Sequence, residues 1–419
     1  MKHVIIGTGI AALSAAEAIR KQDGTAEVLM LGADRHPPYF RIKLSHLLSS
    51  PNTAIDDILI KKPEWYEAQR IVLRTGAAVA RIDMENRQII LLSGEEIPYD
   101  RLLLATGATP FVPPVPGADK PGVFTLRTFD DLHAIQNALE NRNRVLVIGG
   151  GLLGLEAAYG LMGLGKQVHV VEALPYLLPR QLDAYMSEKI RIQLQEMGMG
   201  FTFGIPCAQI ESTPGAAPGN TPGNLSGNTS ENTPDNAHVS VTGMRLKDGS
   251  FLEADAILFS AGVRPNTALA QGSPLAVNRG IVVDEHMRTN LPEVYAAGDV
   301  AEVDGMLYGL WSPALEQGKV AGQNMAGGSA RYATTELAAT LSIGRVKLFS
   351  AGEINNTDAF IPHEEDTLLH RLYVRDGRVA GVVLTGDLSL SMKAKNLVRQ
   401  RTDLPHPDAF QVRFHDLFR

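Results

Sequence analysis

Two carboxylates in this chain each lie about twenty residues beyond a glycine-rich turn, the spacing of a ribose-binding acid in a dinucleotide site. Gly149, Gly151 and Gly154 stand in G-x-G-x-x-G spacing, and Glu172 lies 18 residues past Gly154. The first glycine permits a tight turn. The second lets the backbone approach a pyrophosphate, and the third lets a helix pack close to a strand. Free N–H groups at the helix start, Leu152 and Leu153 onward, favour an anion there. A carboxylate at Glu172 accepts hydrogen bonds from a ribose 2′-hydroxyl and repels a 2′-phosphate, so the expected nucleotide is NADH rather than NADPH. The second set opens the chain. Gly7, Gly9 and Ala12, with Ala11 beside them, form a G-x-G-x-x-A variant, and Asp34 lies 22 residues past Ala12. Two fingerprints in one chain point to two dinucleotides.

The elements that must hold these residues are short apolar strands joined by helices. Val145–Ile148 reads as a buried parallel strand, a helix follows from Leu152, and Val168–Val171 ends at Glu172. In the first unit His3–Ile6 leads into the glycines, a helix runs to about Lys21, and the strand Glu27–Leu31 follows. Between the units, residues 71–104 read as a meander: Ile71–Leu73, Ala78–Asp83, Gln88–Leu92 and Leu102–Leu104. The proline-rich stretch 111–119 reads as a domain crossover. After Glu172 a helix spans about Asp183 to Met197. Residues 212–237 are dense in Pro, Gly, Asn, Ser and Thr and read as a disordered surface insertion. The strand Ala256–Ser260 meets Ala261-Gly262, and Val294–Ala296 delivers Gly298-Asp299 to its carboxyl end, where open α/β sheets bind ligands. Trp311-Ser312-Pro313 precedes a helix. Beyond about residue 331, strands near Arg345–Phe349, Leu369–Val374 and Val379–Leu384 predict a small α+β domain. There Asp376-Gly377 signals a hairpin, and a helix covers Ser391–Gln400.

The chain has 419 residues, 44% hydrophobic and 20% charged, which is ordinary for a globular protein of two or three domains. Its net charge of −7 argues against a general nucleic-acid binder. The single cysteine, Cys207, excludes an intramolecular disulfide and a dithiol redox pair, and it reads as a small apolar residue. The 11 histidines show no metal spacing. Residue 1 leads straight into a strand, and no apolar run reaches the roughly 18 residues of a membrane span. A cytoplasmic protein is expected, with no membrane or nucleic-acid partner.

Taken together, the motifs resemble the FAD-dependent pyridine nucleotide-disulfide oxidoreductase family. The branch is that of NADH:rubredoxin reductases, oxygenase ferredoxin reductases, NADH oxidases and the flavin half of nitrite reductase. The resemblance covers nearly the whole chain apart from 212–237. It implies that the N-terminal fingerprint (Gly7, Gly9, Ala11, Ala12, Asp34) holds FAD. The backbone at Val79 would then meet the adenine. The T-x5-Y-A-A-G-D pattern at Thr289, Tyr295, Gly298 and Asp299 would meet the ribityl chain and pyrophosphate. Ala105, Thr106, Gly107 and Gly262 match crossover segments, and Trp311 joins the flavin-side set. The stretch 37–45 (PPYFRIKLS) is similar to the family's flavin-side segment, with Ile42 in place of a usual Pro. This gives Arg41 a place near FAD, although two solvated charges beside a turn, Arg41 and Lys43, is the other reading of that stretch. Glu156 matches a glutamate that faces the nicotinamide in relatives, and Lys43 is the expected partner for it. The family's catalytic cysteines are absent from residues 36–50, so a thiol mechanism lacks its nucleophile.

The expected fold is α/β, with two Rossmann-like (three-layer ββα) dinucleotide-binding domains plus a small C-terminal α+β domain. Residues 1–110 and 267–330 would form the FAD domain, 111–266 the NADH domain and 331–419 the third. The expected activity is electron transfer from NADH through FAD to a small one-electron carrier of the rubredoxin or ferredoxin type. The expectation that no fused iron–sulfur or sirohaem module follows the short third domain favours the rubredoxin branch. The alternatives are an NADH oxidase reacting at the bare flavin and a flavin-containing NADH sensor. A homodimer is compatible with either.

Overall fold

The computed structural model describes residues 1–214, 239–333, 337–355, 357–365, 368–406 and 409–418. Its first lobe opens with β1 (Lys2–Ile6), α1 (Ile10–Gln22) and β2 (Glu27–Leu31), followed by short helices α2 (Leu44–Leu47) and α3 (Pro63–Ala68). Strands β3 (Ile71–Arg74), β4 (Val79–Asp83), β5 (Gln88–Leu91), β6 (Glu96–Pro98) and β7 (Arg101–Leu104) complete the N-terminal part. The expected meander over 71–104 needs correction. Its outer strands β3 and β7 join the parallel sheet, and only β4, β5 and β6 form an antiparallel meander. The reason is burial. Leu102, Leu103 and Leu104 are fully buried between β1 and the strand at 294–296, and a continuous apolar run of this kind suits a strand covered on both faces.

The second lobe begins with β8 (Ala108–Pro110) and β9 (Val123–Thr125), then α4 (Phe129–Ala138), β10 (Arg144–Ile148), α5 (Leu152–Gly163) and β11 (Gln167–Glu172). It continues through α6 (Ala184–Glu196), β12 (Gly200–Phe203), β13 (Cys207–Pro214), β14 (Val239–Leu246), β15 (Phe251–Glu253) and β16 (Ala256–Phe259). The expected insertion at 212–237 lies outside the described residues from 215 onward, while 212–214 belong to β13. The chain returns to the first lobe through β17 (Val263–Pro265), then β18 (Ile281–Val283), β19 (Val294–Ala296), β20 (Ala301–Val303) and α7 (Trp311–Met325). Trp311 is the first residue of α7 rather than its preface.

The two lobes repeat one architecture. The first sheet runs β19-β7-β1-β2-β3 and the second β12-β11-β10-β16-β9, and their central strand pairs are parallel. β8 and β17 pair antiparallel as the two crossings between lobes. The third lobe is an antiparallel sheet of β21 (Ala338–Ile343), β22 (Val346–Gly352), β23 (Ala359–Glu365), β24 (Leu368–Arg375) and β25 (Arg378–Thr385), with α8 (Ser391–Arg399). Asp376 and Gly377 both have positive φ, 50° and 69°, as the expected hairpin turn requires. Strands β21 and β23 were not expected. Both are edge strands, and Pro362 within β23 removes a donor that only an edge tolerates losing.

One apolar cluster joins the lobes. It runs from Leu44 and Leu48 through Leu155 and Leu161 to Leu341 and Leu348. No helix among the described residues is long and apolar enough to cross a membrane.

Candidate functional site

The first fingerprint turns at Gly7, where φ is +130° and a Cβ would lie 2.1 Å from the Ala105 carbonyl oxygen. No other residue fits. The Gly7 N–H donates to Leu31 O at 2.7 Å and the Ala105 N–H to Ile6 O at 2.8 Å, so the turn is pinned between three strand ends. Ala12 is fully buried. Gly9 is the N-cap of α1, makes no side-chain cap, and faces open space, with nothing within 4 Å of a built Cβ. By contrast, the Thr128 hydroxyl caps α4 and the Asp183 carboxylate caps α6. The start of α1 has no side-chain cap, as a site for an anion requires.

Helix α7 backs α1 with its own glycines. A Cβ at Gly318 would lie 2.1 Å from Ala11 O, and one at Gly322 would lie 2.3 Å from Ala15 O. This close approach sets Gly298 (φ +83°) within 3.0 Å of the Ala11 Cβ, measured from its built Cβ. The Gly298 N–H donates to Gln317 Oε1 at 2.9 Å. Gly298 and Asp299 thus border the open start of α1.

Asp34 is almost enclosed. Its Oδ2 accepts from Arg41 Nη2 at 2.8 Å and from the Tyr39 hydroxyl at 3.0 Å, and Oδ1 accepts from the His36 N–H at 3.1 Å. Burial pushes the Tyr39 phenol well above its ordinary range. Arg41 Nη1 donates to Arg127 O at 3.0 Å, and Arg127 Nη2 donates to Asp299 Oδ2 at 3.0 Å. A chain of charge from Asp34 through Arg41 and Arg127 to Asp299 therefore lines the cleft and ties the second lobe to the first. Arg127 is absent from the sequence-based set. The only signal near it is the Thr128 capping box, whose Asp131 also accepts from the Arg127 N–H. The segment leading to Val79 runs beside this acid, with Gly76 N–H donating to Asp34 O and Ala77 N–H to Gly32 O. At the crossover, the Thr106 hydroxyl donates to Asn266 O at 2.7 Å, and Gly107 and Gly262 take positive φ of 68° and 101°.

The second fingerprint copies the first turn. Gly149 has φ +119°, with a built Cβ 2.4 Å from Ser260 O, and Gly154 would place one 2.1 Å from Gly149 O. Gly151 caps α5 without a side-chain bond and also faces open space. Leu152 is half-buried and Leu153 is 57% exposed. Glu172 reaches the fingerprint turn, accepting from the Gly150 N–H at 2.7 Å, and its own loop, accepting from the Leu174 N–H at 2.9 Å.

The lobes meet where α2 packs on α5. A Cβ at Gly160 would lie 2.5 Å from Ser45 O, which explains a glycine there. Glu156 comes to this joint, but its partners differ from the expectation. Oε2 accepts from the Ser45 hydroxyl at 2.7 Å, and Oε1 lies 3.8 Å from His46 Nε2. Lys43 instead holds its ammonium 4.9 Å over the Phe40 ring, and Phe40 stacks on Trp311 at 5.6 Å. The 3₁₀ turn at Arg41–Lys43 precedes α2, so Lys43 leaves the helix face that Ser45 and His46 share toward α5. Cys207 is half-buried and its thiol is pushed up to about 11 by burial, so it is no nucleophile. Among the described residues, no three His, Cys, Asp or Glu side chains gather to hold a metal.

Two open, uncapped helix starts, each bordered by an acid, fit two dinucleotides. The profile of the family described as pyridine nucleotide-disulphide oxidoreductase matches residues 1–318, and that of the rubredoxin NAD+ reductase C-terminal domain matches 338–402. The chain is 36% identical over 415 residues to a nitrite reductase [NAD(P)H] of Bacillus subtilis, which covers 98% of this chain and 48% of that protein. It thus spans about half the length of that curated relative. It is 30% identical over 402 residues to an NADH-rubredoxin oxidoreductase of Clostridium acetobutylicum, covering 95% and 94%. The crystal structure of NADH:rubredoxin oxidoreductase from Clostridium acetobutylicum superposes with a TM-score of 0.80 at 27% identity, covering 100% and 98%. The chain belongs to the pyridine nucleotide-disulphide oxidoreductase family.

Proposed function

We propose that this chain is an FAD-dependent NADH oxidoreductase that passes electrons to a small iron–sulfur carrier of the rubredoxin type. The observation that carries the reading is the pair of uncapped helix starts at Gly9 and Gly151, set in two lobes that meet through α2 and α5. In this reading residues 1–110 and 267–330 hold FAD, 111–266 hold NADH, and 331–419 form the third domain. The match of 338–402 to a rubredoxin reductase domain supports the choice of carrier.

FAD, when bound, takes a hydride from NADH and releases electrons singly, so the hard chemistry belongs to the cofactor. The protein's part is geometric and electrostatic. Gly9 and Gly298 leave room for the pyrophosphate, and Asp34 and Asp299 offer acceptors to hydroxyls. Arg41 and Arg127 place positive charge beside the phosphates. Gly151 and the first turn of α5 receive the second nucleotide, and Glu172 sets the preference for an unphosphorylated ribose. We place its action in the cytoplasm, where NADH is available.

The test is direct. NADH added to the purified yellow protein should bleach the flavin, and a screen of one-electron carriers should find rubredoxin reoxidising it fastest. Reoxidation by air faster than by any carrier would replace this reading with an NADH oxidase. A colourless protein that fails to take up FAD would end it.

A further inference from the structure

The loop that follows Glu172, residues 173–183, is tied to the nucleotide turn on one side and to the third lobe on the other. At the turn, the Leu178 N–H donates to Gly150 O at 3.2 Å, and the Gly150 N–H donates to Glu172 Oε2 at 2.7 Å. The Leu174 N–H donates to Glu172 Oε1 at 2.9 Å. Both backbone polar groups of Gly150 are thus held, one by the acid and one by the loop. Leu178 makes its bond from a φ of +53°, a conformation that non-glycine residues rarely adopt and that persists only where the surroundings fix it.

Much of that fixing comes from the third lobe. Ser350 Oγ of β22 donates to Gln181 O at 2.9 Å, and Asn355 Nδ2 donates to Pro179 O at 3.0 Å. Asp183 ends the loop and caps α6. Its Oδ2 accepts from two groups of β24, Arg371 Nη1 at 2.8 Å and the Tyr373 hydroxyl at 2.6 Å. The Arg371 side chain is 8% exposed, and its guanidinium lies 4.3 Å from the Tyr185 ring centroid and 4.2 Å from that of Phe360. Leu177, Leu178 and Leu182 are fully buried in the apolar cluster that also holds Leu348 and Ile354 of the third lobe. The same lobes are joined elsewhere, at the end of α6, by the ion pair of Arg345 with Glu196, which leaves the loop untouched.

Resting on the functional reading above, we propose that Ser350, Arg371 and Tyr373 are positioning residues for the NADH-binding loop, so that the third lobe sets the affinity and nucleotide preference of the second. With these anchors in place, Glu172 and Gly150 are held before NADH arrives, and binding does not have to order them. A loosened loop must be ordered at each encounter. That weakens the ground state and the transition state alike, so KM rises while kcat stays. A loosened Glu172 also discriminates less against a 2′-phosphate, so the preference for NADH over NADPH narrows.

The experiment uses the FAD-loaded full chain with Ser350→Ala, Tyr373→Phe and Arg371→Lys. Arg345→Gln is the control that cuts the interlobe ion pair away from the loop. Hydrogen exchange over residues 173–183, measured without nucleotide, should quicken in the three anchor variants and stay unchanged over residues 7–12. The Kd of NAD+ by calorimetry and the KM of NADH by flavin reduction should each rise roughly three- to tenfold, the worth of one hydrogen bond. The kcat should hold within about twofold, and the NADH-to-NADPH ratio of kcat/KM should fall. Arg345→Gln should match wild type in every one of these. If Arg371→Lys fails to fold, Ser350→Ala and Tyr373→Phe decide alone, since each removes a single hydroxyl. Wild-type exchange, Kd and KM in the anchor variants overturn this proposal alone, provided NADH reduces the flavin. An equal loss in Arg345→Gln does the same, because it assigns the effect to lobe packing in general. A flavin that NADH does not reduce overturns the functional reading and this proposal with it.

Discussion

The two fingerprint units share a backbone and differ in their surroundings. Gly7 and Gly149 turn with φ of +130° and +119°, and Gly9 and Gly151 cap their helices at the same φ of −80°. Around the first unit the protein closes in. Asp34 is bonded to Arg41 and Tyr39, and α1 lies backbone to backbone against the glycines of α7. Around the second unit it stays open. Leu153 is exposed, and among the described residues Glu172 accepts from two backbone amides, Gly150 of the fingerprint turn and Leu174 of the loop that follows it. In the proposed function the difference lets one local motif serve both a resident and a transient nucleotide, with packing deciding which. A resident cofactor tolerates acids locked by neighbours, whereas a substrate that exchanges each cycle needs an acid free to trade partners.

The strongest way to break this comparison is to fill the two turns in parallel. Gly7→Ala meets Ala105 O at 2.1 Å in a backbone region that disfavours a side chain, and should cost more than about 3 kcal/mol. The expected product is unstable and colourless. Gly149→Ala meets Ser260 O at 2.4 Å and should lose reduction by NADH while keeping its flavin colour. Equal flavin loss in both variants, read by absorbance after desalting, would show that the lobes do not divide the work.

The next effect sets strand against strand. His3 in β1 stands where β10 has Val145. It is fully buried, neither ring nitrogen has a partner in the described residues, and burial lowers its pKa to about 4. The folded protein therefore binds this proton less readily than the unfolded chain does. Stability is complete above about pH 6.5 and should fall as pH drops toward 4, by on the order of 3 kcal/mol. His3→Val should flatten that part of the stability–pH curve in chemical denaturation. An unchanged slope would assign the acid sensitivity elsewhere.

A smaller effect tests the open acid. The native protein should prefer NADH over NADPH at least tenfold in kcat/KM, because a 2′-phosphate against Glu172 costs about 1.4 kcal/mol or more. Glu172→Ala should narrow the ratio, and Asp34→Ala should leave it alone. Equal use of both nucleotides by the native protein would show that Glu172 does not reach the ribose.

The smallest effect lies outside both units. The basic helix α8 and its end carry Lys393, Lys395, Arg399 and Arg401, but Lys393 donates to Phe418 O and Arg401 lies 3.9 Å from Glu353. Reversing Lys395 and Arg399 to Glu should slow carrier reduction a few-fold at low salt and not at high salt, as steering by opposite charge requires. An identical rate and salt slope would move the docking face away from α8.

Local chemistry made the fingerprints legible from the amino-acid order alone. A glycine turn, a helix start and an acid lie within about thirty residues, and each is constrained by its own backbone. The same holds for the Asp183 cap and the Asp376-Gly377 turn. Contacts between distant segments were not legible. Glu156 and Ser45 are 111 positions apart, and Arg127 reaches Asp299 across 172. No periodicity could announce that Lys43 turns to Phe40 while Ser45 and His46 face Glu156, because a 3₁₀ turn changes which side chains share a face. The sheet membership of Ile71–Arg74 and Arg101–Leu104 was hidden for a related reason: strand patterns mark a strand but not its neighbour. The amino-acid order by itself determined two nucleotide turns and their acids, since each is a short-range backbone problem. Tertiary structure decided which acid is held by side chains of its neighbours and what meets Glu156, since those follow from packing between segments far apart in the chain.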